Sequence, residues 1–207
     1  MLDILGKSSS INVRKVLWLC AELDLPYKQE QWASETLSVD TTEFRALNPN
    51  AMVPVIRDGN FVLWESNTIC RYLATVHQRQ DLLPVTPAER AIVEQWMDWQ
   101  ATELNNSWRY AFMALVRHSP LHTDRTAINA SVESWNRHMA IFNSQLARVG
   151  AYATGNTFTL ADIVLGLATN RWMMTPMPRP TLPFVEAYYD RLSARSGYLL
   201  HGRNGTP

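Results

Sequence analysis

The chain changes its hydrophobic period once, near residue 80, and that change limits the folds open to it. Before it, short apolar runs alternate with helical spacing. Leu2 to Leu5 is an apolar run of strand length, the loop Gly6-Lys7-Ser8-Ser9-Ser10 follows, and Val13, Val16, Leu17, Cys20 and Ala21 then recur at steps of three and four. That pattern predicts strand, loop, helix. Pro26 stops the helix, Tyr27 to Trp32 suits a second strand, and Ser34 to Thr42 is a polar loop before a short helix ending at Asn48-Pro49. Val53 to Ile56 and Phe61 to Trp64 flank Asp58-Gly59-Asn60, a hairpin signal, and WESNTICRYLATVH opens another helix. The predicted order is β-α-β-α-β-β-α.

Residues 79–87, RQDLLPVTP, carry two prolines and no period, and all that follows is helical in pattern. Thr86-Pro87-Ala88-Glu89 combines a hydroxyl N-cap, Pro at the first helical position and Glu three after the cap. The helix it starts is expected to reach about His118, with a weak point at Asn105-Asn106-Ser107. Ile128, Val132, Trp135, Met139, Phe142, Leu146 and Val149 give one apolar face, which suits a bundle helix. Leu160 to Trp172 and Phe184 to Leu192 supply two more helices, and the tail HGRNGTP is expected to be loose. The fold class is therefore an α/β unit over 1–80 and an all-α helical bundle over 87–207, joined by a linker at 81–86. There is no internal repeat.

Charge narrows the partners. Nineteen basic and nineteen acidic residues cancel with no basic cluster, so nucleic acid and anionic membrane surfaces lack electrostatic support. The N-terminus MLDILGKSSS has no signal-peptide pattern and no apolar run reaches the ~18 residues of a membrane span, so a cytoplasmic protein is expected. Cys20 and Cys70 sit in helical patterns and suit core packing better than a disulfide or redox pair. His118 and His122 have the spacing of a metal pair, but Pro120 between them breaks the helical face, so no metal is expected. No nucleotide-binding glycine motif and no esterase elbow is present.

Four landmarks in order carry a family likeness: a thioredoxin-like N-terminal pattern, Asn48-Pro49-Asn50-Ala51-Met52-Val53-Pro54-Val55, Glu65-Ser66, and Thr159-Leu160-Ala161-Asp162 in a helical second half. Together they resemble the cytosolic glutathione transferases, of the bacterial, serine-type, theta/beta-like kind. The resemblance implies a glutathione transferase fold and glutathione as co-substrate. It also implies a cis Val53-Pro54 bond, which turns the N–H and C=O of Val53 toward the cysteinyl backbone of glutathione. Taken without it, Pro54 would be an ordinary trans Pro at a strand start.

Glu65 and Ser66 open a helix, whose unpaired N–H groups and positive dipole end suit a carboxylate. By resemblance Ser66 takes the γ-glutamyl carboxylate and Glu65 the ammonium; the plainer reading is a capped helix. The serine-type pattern places the thiolate donor four residues before a basic residue, which counts back from Arg14 to Ser10. Ser8, Ser9 and Asn12 compete with it, and Asn12 stands where the family commonly has Pro, among the expected glutathione contacts. For the glycine carboxylate the sequence offers Asn50 or Arg45. Thr159 and Asp162 form a structural capping box, with Phe158 as staple.

The second substrate is expected between the halves, against Trp108, Arg109, Phe112 and Met113, with Lys7, Trp32, Arg117 and Trp172 within reach. The function implied is thiolate attack on a small halogenated or unsaturated electrophile, or peroxide reduction, in detoxification. A glutathione-dependent isomerase and a non-catalytic binding or regulatory protein of the same fold are the alternatives. A homodimer is the family expectation.

Overall fold

The computed structural model describes residues 1–207. Strand β1 (Leu2–Leu5) feeds helix α1 (Ile11–Glu22), which returns the chain to β2 (Tyr27–Glu30), parallel to β1. A parallel pair needs such a crossover. After α2 (Thr42–Leu47), strand β3 (Val55–Asp58) enters antiparallel to β1, and β4 (Phe61–Trp64) folds back on it, giving the sheet order β2-β1-β3-β4. The hairpin is closed by Gly59-Asn60 between the paired Asp58 and Phe61, and Gly59 takes a φ of +60° that glycine adopts without steric cost.

Period-two alternation divides the sheet between two cores. Leu2, Ile4 and Ile56 face α1 and α3 (Ser66–Val76), whereas Leu5 and Val55 pack with Trp32 and Phe44 on the other face. Beyond α3 the chain is helical: α4 (Pro87–Trp99), α5 (Asn105–Leu115), α6 (Arg125–Val149), α7 (Leu160–Met174), α8 (Pro183–Leu192) and α9 (Ser196–His201). One core of 39 buried residues runs from Leu2 through α1 and α3 into α6, α7 and α8, so the sheet and the bundle bury a common interior. No helix is long and apolar enough to cross a membrane.

Helix α7 lies at the centre, buried at every residue from Leu160 to Trp172, as expected of a helix apolar nearly all round. Trp18 of α1 fits between α7 and α9 because two glycines let it. A Cβ on Gly166 would lie 3.0 Å from the Trp18 ring, and one on Gly197 would lie 2.7 Å from it. Asp162 Oδ2 accepts from the Thr159 N–H at 2.8 Å, the reach-back half of a capping box, while Oδ1 accepts from the Ala153 N–H at 2.8 Å.

Several expectations are corrected. Strand β2 ends at Glu30, and Trp32 folds into the small core against Phe44. Strand β3 starts at Val55, because Pro54 has no N–H to give a ladder. The long helix after Pro87 is interrupted by a π-helical turn, Gln100–Leu104, while Asn105-Asn106-Ser107 begins regular helix. Thr86 makes no side-chain cap. Leu82 and Leu83, in the linker segment, are buried, and the Leu82 carbonyl accepts from Leu160 N–H at 2.9 Å.

The tail is not loose either. It begins in the unforeseen helix α9, and Arg14 donates to the carbonyls of Thr206 at 2.8 Å and Pro207 at 2.9 Å. Asn170 donates to the same Thr206 carbonyl at 2.9 Å. A run of seven residues with two glycines gives no periodic signal of that docking, which depends on two side chains remote in sequence.

Candidate functional site

The N-terminus of α1, the approach to β3 and helices α5 and α7 enclose a cavity of about 620 Å³. Lys7 and Ser10 line it from the first loop, Asn12 from the first turn of α1, Val53 from the approach to β3, and Trp108, Arg109, Phe112 and Met113 from α5. These eight residues, all singled out in the sequence, meet around one space, and Arg117 joins them as the ninth. Their convergence follows from the fold: the β1–α1 turn and the turn before β3 lie at the same end of adjacent strands, and α5 crosses in front of them.

Ser10 stands at the N-cap position of α1 with extended φ and ψ, yet its hydroxyl caps no backbone N–H. An N-cap oxygen without that role is free for a ligand. Ser8 differs. Its hydroxyl donates to Gln29 Oε1 at 3.3 Å and accepts from Gln29 Nε2 at 3.0 Å, which engages it with β2.

The Val53–Pro54 bond is cis, and neither the N–H nor the C=O of Val53 is hydrogen-bonded within the protein. Glu65 takes a φ of +73° immediately before α3, and Ala51 a φ of +53° before Met52. Non-glycine residues in that region are uncommon and concentrate at ligand-binding sites. Ser66, the first residue of α3, is 5% exposed, and its hydroxyl has no partner in the protein.

Beneath Ser66 lies a buried polar network. Lys15, 2% exposed, donates from Nζ to Gln100 Oε1 at 2.8 Å and Asn67 Oδ1 at 3.1 Å. Gln100 Nε2 donates to Asn105 Oδ1 at 2.8 Å, and the same oxygen accepts from Trp108 Nε1 at 3.1 Å. The network thus joins the start of α3 to the cavity wall through the π-helical turn. Burial lowers the Lys15 pKa to about 8, because its ammonium meets amides and no carboxylate at hydrogen-bond distance.

The cavity is one-signed. Lys7, Arg109, Arg117 and Arg171 line it, and no Asp or Glu does. Arg171 of α7 is 3% exposed, with its guanidinium carbon 4.1 Å from the Phe112 ring centre and 4.5 Å from that of Trp108. Burial, then the nearby Arg14 and Arg117, lower its pKa to about 9. Cys20 and Cys70 are buried thiols pushed up to about 12, so neither supplies a thiolate. No group of three or more His, Cys, Asp or Glu converges as for a metal ion.

Some expected contacts fall elsewhere. Trp32 is buried beside Phe44, with Nε1 donating to Glu30 at 2.9 Å, and Trp172 donates to Asn136 Oδ1 at 2.9 Å; neither lines the cavity. Asn50 bonds back to Asn48 Oδ1, and Arg45 pairs with Asp40 at 2.6 Å, so both are engaged locally. Arg117 does line the cavity, 5.5 Å from the Phe112 ring centre. Sequence reasoning missed Arg171, although a lone basic residue in the mostly apolar stretch Leu160–Trp172 was a visible signal. A charge inside a helix buried all round needs a partner or a ligand.

Residues 9–76 match the family described as Glutathione S-transferase, N-terminal domain. The chain is 36% identical over 200 residues to Glutathione S-transferase GstB of Escherichia coli, covering 94% of each. It is 30% identical to Glutathione S-transferase 3 of Zea mays, covering 95% of this chain and 91% of that one. Its fold superposes with a TM-score of 0.90 and 37% identity on the theta class glutathione S-transferase of Xanthomonas axonopodis pv. citri crystallised with glutathione bound, over 97% and 96% of the two chains.

Proposed function

Because the chain belongs to the cytosolic glutathione transferase family, we propose that it binds glutathione with its thiol at Ser10 and directs the thiolate at an electrophile held against α5. Val53 meets the cysteinyl backbone through its unpaired N–H and C=O. Ser66 and the first turn of α3 take the γ-glutamyl carboxylate, and Glu65 its ammonium. The observation that carries this reading is the uncommitted Ser10 hydroxyl, lining the same cavity as Val53 at the N-terminus of α1.

The energetics are adequate. A free thiol has a pKa of roughly 8.5, and lowering it by about two units needs roughly 2.7 kcal/mol of thiolate stabilisation. A hydroxyl donor to a charged sulfur contributes about 1.5–3 kcal/mol and a helix N-terminus up to about 1 kcal/mol. One serine and one helix end therefore suffice. The thiolate then attacks an electrophilic carbon; a halogenated carbon loses halide, and an unsaturated one takes up a proton.

A cytoplasmic homodimer belongs to the same proposal. Met52 and Phe61 are large apolar side chains left exposed on the sheet-bearing half, where a partner would cover them. The decisive experiment is the ultraviolet difference spectrum of bound glutathione against pH. A thiolate band titrating well below the free thiol, and moving up by one to two units in Ser10→Ala but not in Ser8→Ala, is the expected result. Bound glutathione with an unshifted thiol in the wild type overturns it.

A further inference from the structure

The cavity contains a cation that nothing in the protein answers. Arg171 is 3% exposed, forms no salt bridge, and its guanidinium makes no hydrogen bond to any protein group; its Nε is fully buried and unpaired. Its neighbour Arg14 is different, being engaged by the carbonyls of Thr206 and Pro207. Around Arg171 stand the Trp108 and Phe112 rings, and Arg117, which lines the same cavity, lies 5.5 Å from the Phe112 ring centre.

A buried ion loses several kcal/mol of hydration. Two ring contacts of about 0.5–2 kcal/mol each offset only part of that loss. No carboxylate lines the cavity to supply the rest. An arginine kept in this position, inside a helix otherwise built for burial, is set up for an anion that arrives from outside. Its planar fork favours a carboxylate, sulfonate or phosphate oxygen pair.

We infer that the second substrate of this enzyme is an electrophile carrying an anionic group, which Arg171 receives while the apolar body lies along Trp108, Phe112 and Met113 with its reactive carbon toward Ser10. The inference rests on the transferase reading and sharpens it to a substrate class: aryl or unsaturated electrophiles bearing a carboxylate or equivalent anion. Arg117 and Arg109, both unpaired at the exposed side, draw such a molecule in but do not fix its orientation. Chemistry is unchanged by the anion. Glutathione sulfur forms a bond to carbon; from a halide the halogen departs with its electron pair and the thiol proton goes to solvent, whereas an unsaturated acceptor takes up a proton at the neighbouring carbon.

Isothermal calorimetry with matched, unreactive ligands tests the site directly. The full-length wild type in the presence of glutathione is expected to bind 4-nitrobenzoate at least about 10-fold more tightly than 4-nitrobenzamide, the low end for a charge-assisted contact. Arg171→Met should bring the two affinities to near parity, and Arg171→Lys should retain part of the preference. Arg171→Met is also expected to raise Tm in the ligand-free protein, because a buried unpaired cation gives way to an apolar chain of similar length. Equal affinities in the wild type, or an undiminished preference in Arg171→Met, overturn the proposal.

Turnover separates this from the parent reading. With 4-chloro-3-nitrobenzoate and 4-chloro-3-nitrobenzamide, each normalised to its uncatalysed rate, the acid is expected to be preferred about 10-fold in kcat/KM. Conjugation of neutral 1-chloro-2,4-dinitrobenzene without any preference for the acid refutes the anion site and leaves the transferase standing. Preferential binding of 4-nitrobenzoate with no conjugation of any aryl halide supports the anion site and refutes the transferase reading on those substrates.

Discussion

Lys15 Nζ lies 2.8 Å from Gln100 Oε1, so a buried ammonium on the first helix ties itself to the π-helical turn that interrupts the long helix of the bundle. The turn has a packing reason. One extra residue in the helical ladder brings Gln100 inward to Lys15 and lets its amide continue to Asn105 and Trp108.

This pair makes stability depend on alkaline pH. The Lys15 pKa is lowered by burial to about 8 in the fold against 10.5 in the unfolded chain, so between those values the unfolded state binds more protons. Below pH 8 the folded protein carries the full cost of the buried charge; as pH rises through 8 toward 10.5 that cost is relieved. The shift corresponds to about 3 kcal/mol. The difference in unfolding free energy between the wild type and Lys15→Met, measured by denaturant titration at pH 7 and 10, is expected to move by roughly that amount in favour of the wild type at high pH. A pH-independent difference would show that Lys15 titrates alike in both states.

Ser66→Ala removes a buried hydroxyl with no protein partner, so its effect should fall on ligand binding and not on folding. Loss of one hydrogen bond to a carboxylate, about 1.5–3 kcal/mol, predicts a rise of roughly 10- to 100-fold in KM for glutathione. The kcat at saturation should change much less, since the proposed contact would be made equally in ground and transition states. Steady-state kinetics and a thermal melt check both halves. A drop of several degrees in Tm without a KM effect would make Ser66 a helix residue only.

Asp162 illustrates the opposite case. Its carboxylate accepts from the backbone N–H groups of Thr159 and Ala153, each at 2.8 Å, and from Tyr188 OH at 3.1 Å, all buried. Asp162→Ala leaves two buried N–H groups unpaired, each costing about 1–3 kcal/mol. A loss of about 2–5 kcal/mol is expected, read as a Tm lower by roughly 5–15 °C. Glutathione affinity of the protein that remains folded should be close to wild type, because none of these groups reaches the cavity.

The two thiols should be silent. Burial pushes Cys20 and Cys70 up to about 12, and both sit in the main core. A chromogenic disulfide reagent at pH 7.5 is expected to count no thiols in the native protein and two after denaturation. Rapid modification of either in the folded state would place it at an opening that the fold does not contain.

Local signals carried much of this molecule into view. The change of period near residue 80, the Gly59-Asn60 turn and the stops at Pro26 and Pro49 each act within a few residues, so backbone preference and side-chain alternation suffice to read them. Lys7, Ser10, Val53 and Trp108 are named through the family resemblance, whose short motifs are local in the same way: each residue lies at a strand end, a helix start or on one helix face. Local chemistry along the chain thus set the order of elements and the residues at their edges.

The tertiary structure alone decided which of those edges meet. Trp32 follows a strand that ends two residues earlier than its pattern suggests, and so turns into the small core instead of the cavity. Arg171 meets Phe112 across 59 positions because its side chain reaches from α7 to the rings of α5, and Arg14 meets Thr206 across 192 because α9 brings the tail back over α1. Such meetings depend on crossing angles set by the summed packing of the whole core, in which Gly166 and Gly197 let α7 and α9 close on Trp18. No window of adjacent residues contains that sum.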